Sequence, residues 1–209
     1  MEYLKKLQWR YATKRFDKSR KLNTNQVEIL LQAANLAPTS YGLQPFSIAM
    51  VETDQIKEKL SPAAHNQPQV TEASHLFIFA VRNQLSGKDI DEYIDRIVKT
   101  RGIPHEAVTD FGNIMKGTIN SLTPEQKFGW AARQAYISIG MLLSAAALQN
   151  IDACPMEGFI NEQFDELLNL KEKGLSSVAM VAAGYRSPED EHQHYKKVRK
   201  PLEEFVLKY

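Results

Sequence analysis

Apolar patterns of period two alternate with helical patterns along the chain, and this alternation predicts a mixed domain, α/β or α+β. Three observations carry the prediction. Leu76-Phe-Ile-Phe-Ala-Val81 is an unbroken apolar run, as a strand buried on both faces requires. Thr123-Pro-Glu-Gln126 is a capping box with proline at the first helical position, and it opens the longest helical pattern in the chain. The 209 residues are 43% hydrophobic and 24% charged, with no repeat, low-complexity tract or Gly/Ser linker, so one core and one unit spanning residues 1–209 are expected.

Each element follows from local pattern. Thr24 can cap a helix whose Val27, Leu30, Leu31 and Ala34 share one face, and Pro38 ends it. Phe46 to Glu52 alternates as a strand does, and a short helix from Asp54 to Leu60 follows. Residues 76–81 belong in the middle of a sheet. Ile90, Tyr93, Ile94, Ile97 and Val98 have helical spacing, while the stretch after Gly102 is helical with a weaker pattern. The helix opened by Thr123 is rich in small residues on more than one face, so it is expected to be buried nearly all round, as at a dimer interface. Two further short strands, Ile151 to Met156 and Ser177 to Ala183, flank a helix around Phe164, Leu167 and Leu168.

Much chemistry is excluded. The single Cys154 can form no intrachain disulfide and no thiolate zinc site, and it reads as a buried structural thiol. His192 and His194 read as an exposed polar turn, so no metal site is expected. The ten glycines form neither G-x-G-x-x-G nor a P-loop, and G-x-S-x-G is absent. No run approaches the ~18 apolar residues of a membrane span, and the charged start lacks a secretory h-region, so a cytoplasmic protein is expected.

Charge is unevenly placed. The formal net charge is +1, yet residues 1–22 carry a net +6 and residues 192–209 a net +3, leaving −8 between them. Two basic ends suit either solvated tails or a small anion gripped from both ends of the chain. The basic segments contain no nucleic-acid motif and no interleaved aromatics, so a helical module binding nucleic acid or acidic surfaces ranks last among the readings.

Six segments together resemble the FMN-dependent nitroreductase family, of the oxygen-insensitive NAD(P)H nitroreductase type. They are Arg10 to Asp17, Leu36 to Pro45, Asn66 to His75, Ala153 to Gly158, Ala183 to Arg186 and Lys197 to Pro201, in the family's order and at roughly its spacing. The match is poorest from about Gln84 to Lys127. The resemblance implies an α+β fold with a central, mostly antiparallel sheet flanked by helices. It also implies an intertwined homodimer with a long buried interface helix and FMN bound between the subunits.

Site residues follow from the same resemblance. Arg10, Lys197 and Arg199 match the positions that hold the FMN phosphate, a dianion that calls for fixed cations. Tyr11, Ala12 and Lys14 continue that segment, and Lys14 matches the residue that stabilises negative charge on the reduced flavin. Thr13 suits either a helix-end cap or a ligand contact. Asn66 matches a residue that hydrogen-bonds the pyrimidine edge, and Gln69 stands where close relatives can carry a second lysine. Pro155, Met156, Glu157 and Gly158 match the loop across one flavin face, with the Glu157 backbone N–H near N5 and a glycine that permits close approach. Pro38, Thr39, Ser40, Gly42 and Gln44 match the loop contributed by the second subunit. Gly42 replaces an asparagine found in some relatives.

The implied activity is an FMN-dependent NAD(P)H oxidoreductase. NADH or NADPH is the co-substrate, and the acceptor is a nitroaromatic, quinone or similar flat small molecule. Lys14 and Glu157 would be the catalytic residues, with chemistry residing on flavin N5. The acceptor pocket falls near residues 103–122. The alternative is a flavin-binding carrier or sensor without useful turnover.

Overall fold

The computed structural model describes residues 2–209; Met1, at the head of the charged N-terminal segment, lies outside them. Four strands form one sheet of order β1-β2-β4-β3, with β1 at Phe46–Val51, β2 at His75–Arg82, β3 at Asp152–Met156 and β4 at Leu175–Gly184. Every neighbouring pair is antiparallel. The run 76–81 is central as expected, and β4 is longer than the sequence pattern predicts.

The apolar continuity of β2 follows from what lies on its two faces. Phe77, Phe79 and Val81 point into a core shared with α2 (Thr24–Asn35) and α7 (Pro124–Leu148), where Leu30, Ala34, Ala135 and Leu142 are buried. Leu76 and Ile78 point the other way, into a core with Leu60, Ala64, Val70 and Phe164. These come from α3 (Asp54–Leu60), α4 (Pro68–Glu72), α8 (Asn161–Leu167) and the turn before α4. Alternate residues of one strand therefore feed two separate cores. A third cluster holds α5 (Gly87–Arg101) to α6 (Thr109–Asn120) through Ile90, Ile94, Ile97, Met115 and Ile119. Short helices α1 (Glu2–Trp9) and α9 (Leu202–Phe205) lie near the ends of the chain.

Three local expectations change. The cap of α2 is Asn23 and not Thr24: the Asn23 side chain accepts from the Gln26 N–H at 2.9 Å while the Gln26 side chain accepts from the Asn23 N–H at 3.0 Å. That reciprocal pair satisfies two donors that Thr24 would leave open. The α7 capping box at Thr123 forms as expected, but one chain alone buries only part of the helix surface and leaves Phe128, Tyr136, Ile137, Met141 and Leu148 exposed. Thr13 caps no helix. It is wholly buried, four residues past the end of α1, and its Oγ1 has no hydrogen-bond partner.

The 39–44 segment is held in an unusual backbone. Tyr41, Gly42 and Gln44 all have positive φ, at 59°, 77° and 48°. A Cβ at Gly42 would lie 2.3 Å from the Tyr93 hydroxyl, which donates to the Tyr41 carbonyl at 2.8 Å. Glycine is therefore required by both conformation and space. Gly42→Ala is expected to cost about 1–3 kcal/mol of stability, and Tyr93→Phe in the same chain should recover part of it. Urea denaturation of the four chains of this double-mutant cycle measures both, and additive costs would refute the coupling.

Candidate active site

The two basic ends of the chain meet. Lys197 Nζ donates to the Leu7 carbonyl at 2.8 Å and also to the Arg10 carbonyl. Arg10, Lys197 and Arg199 line one cleft of about 470 Å³, together with Trp9, Tyr11, Lys14 and Pro155. None of these three cations forms an ion pair with a carboxylate among the described residues. Burial, followed by the charge of Arg199, lowers the Arg10 pKa, and burial followed by Arg10 and Arg199 lowers that of Lys197. A cluster of cations with no internal counter-charge is built to receive an anion.

Pro155 also borders a second cavity of about 490 Å³, formed by Tyr136, Ile139, Gly140, Leu143, Met156, Glu157 and Ala179. The cationic cleft and this largely apolar cavity share Pro155 as a wall. Both volumes fall in the range of ordinary cofactor sites. The Tyr136 hydroxyl donates to Glu157 Oε1 at 2.6 Å, and burial together with this carboxylate pushes the tyrosine pKa up to about 12. The bond fixes the side chain of Glu157 against α7.

Neighbouring contacts fix the backbone beneath. Ala12 makes a parallel bridge to Ala153, and Phe16 an antiparallel one to Arg186, so the Arg10 to Asp17 segment is laid along the edge formed by β3 and the end of β4. Arg15 is not an anion ligand, because it forms a bidentate pair with Glu72 at 2.9–3.1 Å. Lys14 forms no such pair among the described residues and lines the cleft. The Asp152 carboxylate accepts from Arg186, whose guanidinium lies 4.3 Å from the Trp9 ring centre and 4.7 Å from that of Tyr11.

The segment at 66–69 reaches the same place from below. Gln67 Nε2 donates to the Gly158 carbonyl at 2.7 Å. Gln69 is buried, while Asn66 is exposed at a positive φ of 53°. Burial pushes the Cys154 thiol up, so it is a structural thiol as expected. Gly158 has no steric need of its own here: an added Cβ would meet Gln67 Nε2 at 3.5 Å, an ordinary contact.

Residues 38–44 do not join this cleft within one chain. The Ser40 N–H donates to Gln134 Oε1 at 2.8 Å, and the Gln44 amide donates to the Asn35 carbonyl at 2.6 Å, so Gln44 is committed to the end of α2. Tyr41 packs edge-on against Phe111 of α6 and its hydroxyl lies 3.1 Å from Thr118, which ties the loop to the region that least resembles the family.

The family model described as "Nitroreductase family" matches residues 7–185. The chain belongs to the nitroreductase family. This nitroreductase-family chain is 29% identical over 206 residues to an oxygen-insensitive NAD(P)H nitroreductase of Salmonella typhimurium, covering 93% of each. It is 28% identical over 207 residues to the major NAD(P)H-flavin oxidoreductase of Aliivibrio fischeri, covering 96% of this chain and 95% of that one. A protein of Exiguobacterium sibiricum solved in complex with FMN superposes with a TM-score of 0.86 at 19% identity, covering 100% of this chain and 98% of the other. The expected nitroreductase-like α+β fold is therefore present.

Sequence reasoning missed Asp190, Glu72, Asp152 and Tyr136 as site-building residues. Each meets a partner 21 to 179 positions away, and no local pattern signals such a pairing. Asp190 is the most deeply placed. It is 1% exposed and accepts from the Lys14 N–H at 2.8 Å, the Arg15 N–H at 3.2 Å, the Tyr11 hydroxyl at 2.8 Å and the His192 N–H at 3.1 Å. Burial opposes its charge, but these donors outweigh burial and hold the carboxyl below its usual range. A depressed folded pKa means that its stabilisation is complete above the unfolded value of ~4 and is lost as pH falls through the folded value. The Tm gap between the natural chain and Asp190→Asn should therefore be widest near neutrality and narrow on acidification toward pH 3. A gap independent of pH would show that the carboxyl is not ionised in the fold.

Proposed function

We propose that residues 1–209 act as one FMN-binding unit of a homodimeric, cytoplasmic NAD(P)H-dependent oxidoreductase that reduces nitroaromatics, quinones or similar flat small molecules. The observation that carries the reading is the convergence of Arg10, Lys197 and Arg199, without a carboxylate partner among the described residues, on a cleft that shares Pro155 with an apolar cavity. That arrangement fits a ligand with a dianionic tail and a flat apolar head. The names of the Salmonella and Aliivibrio relatives and the FMN-bound neighbour support the same ligand and co-substrate.

Arg10, Lys197 and Arg199 would hold the phosphate, with Tyr11 and Ala12 beside it. Pro155 and Met156 would form a shelf, and Gly158 and Asn66 would border the polar edge. Gln69 would act from beneath the shelf. When bound, FMN supplies the two-electron chemistry that no side chain here can supply. Lys14 would supply a positive charge to stabilise the reduced cofactor, and the Glu157 backbone N–H would offer it a hydrogen-bond donor. With Tyr136 holding the Glu157 carboxylate, that donor keeps one orientation.

A second copy of the chain would complete the site. Pro38, Thr39, Ser40 and Gly42 lie away from the cleft of their own chain, and Gln44 would support them through α2. The exposed apolar face of α7 and the exposed Leu202, Phe205 and Leu207 near the C-terminus are the surface that such a pairing would bury. Although no unbroken apolar run reaches the length of a membrane span, α7 is long and apolar enough on average to cross one; its face of Ala131, Ala135, Leu142 and Ala146 is buried in the protein core, as in a core helix.

The purified protein is expected to be yellow and to bleach rapidly when mixed anaerobically with NADH or NADPH. A flavin that stays oxidised would favour the carrier reading. Arg199→Ala should weaken FMN retention roughly tenfold or more, the scale of one charge-assisted hydrogen bond. Equilibrium dialysis measures it, and unchanged retention would remove Arg199 from the site. Light scattering should give twice the 23.7 kDa chain mass, and a monomer would refute the shared site.

A further inference from the structure

Arg10 and Lys14 belong to a segment that leaves α1, whereas Lys197 and Arg199 belong to one that follows β4, and nothing in their sequence makes these two segments neighbours. One buried carboxylate touches both. Asp190 gathers the backbone N–H groups of Lys14 and Arg15 and the Tyr11 hydroxyl from the first segment, and the His192 N–H from the second. Its side chain is fully buried, its two oxygens are occupied by these donors, and the His192 Nδ1 lies 3.3 Å from the same carboxylate. The Lys14 ammonium and the Arg10 guanidinium remain without a carboxylate, and the turn Glu191–His194 leads directly to Lys196 and Lys197.

We propose that Asp190 is the positioning residue of the phosphate site: it holds the N-terminal and C-terminal cations in one geometry, and phosphate-specific affinity depends on it. The proposal rests on the reading of the cleft as a flavin site. The physical reason is that Arg10, Lys197 and Arg199 repel one another and would spread apart unless the backbone carrying them is pinned. A carboxylate with four or five donors is a strong pin, because charge-assisted hydrogen bonds are about twice as strong as neutral ones. Because Asp190 takes the backbone N–H of Lys14 and not its ammonium, it leaves that side chain available to the ligand.

The test compares two flavins that differ only in the phosphate. Affinities of FMN and riboflavin are measured on the full-length natural chain, on Asp190→Asn and on Tyr11→Phe, with inorganic phosphate as a competitor. For Asp190→Asn, FMN affinity is expected to fall tenfold or more while riboflavin affinity changes less than twofold, and phosphate should lose its ability to compete. Tyr11→Phe, which removes a single donor and keeps the ring, should shift the same ratio in the same direction by a smaller factor, so the test survives poor folding of the first variant. Equal losses for both flavins would overturn the proposal and make Asp190 a general structural residue. An unchanged FMN-to-riboflavin ratio in both variants would overturn it as well. A natural chain that binds neither flavin would overturn the flavin reading itself, a result distinct from either.

Discussion

Positive charge without an internal counter-ion is the constraint around which this molecule is arranged. Three cations from opposite ends of the chain stand beside one cleft; burial and then Arg199 disfavour the charge of Arg10, and burial and then Arg10 and Arg199 disfavour that of Lys197. The fold tolerates the arrangement because each contributing segment is anchored by contacts that need no carboxylate in the cleft. Lys197 is tied to carbonyls of the N-terminal segment, Arg15 to Glu72, and the backbone at 14 and 15 to Asp190. An anion that enters the cleft relieves the repulsion, so ligand binding and stability are linked.

The apolar half of the site depends on the sheet. Met156 and Cys154 face the core beneath β3, while Pro155 between them is exposed, as the alternation of a strand dictates. The shelf is therefore the outer surface of a packed edge strand and inherits its rigidity. Glu157, one residue beyond the strand, would be mobile on its own, and its bond to Tyr136 of α7 removes that freedom. Rigid backing of this kind is what preorganised donors require.

The loop at 39–44 is built on opposite terms. Its three left-handed residues are strained, and they are held by Tyr93 and Thr118 of α5 and α6, elements that pack mainly on each other and not on the central sheet. A part of the chain that would contact a second subunit is thus supported by the region that departs furthest from the family pattern. Variation in α5 and α6 can move this loop without disturbing the sheet or the cation cluster.

The chain alone determined the elements. An apolar run such as 76–81 can only be a strand covered on both faces, and a threonine-proline-glutamate-glutamine start can only open a helix with its N-terminal donors satisfied. Its charge pattern showed two basic ends, which suit solvated tails as well as a gripped anion, and the family resemblance singled out Arg10, Lys14, Lys197 and Arg199 among them. Tertiary structure decided what those cations face. Asp190 gave no signal in the sequence and Thr24 looked like a cap, since short-range patterns register only neighbours a few positions away. The contacts that set their roles depend on where the chain returns, and that is fixed by the packing of the sheet and helices as a whole.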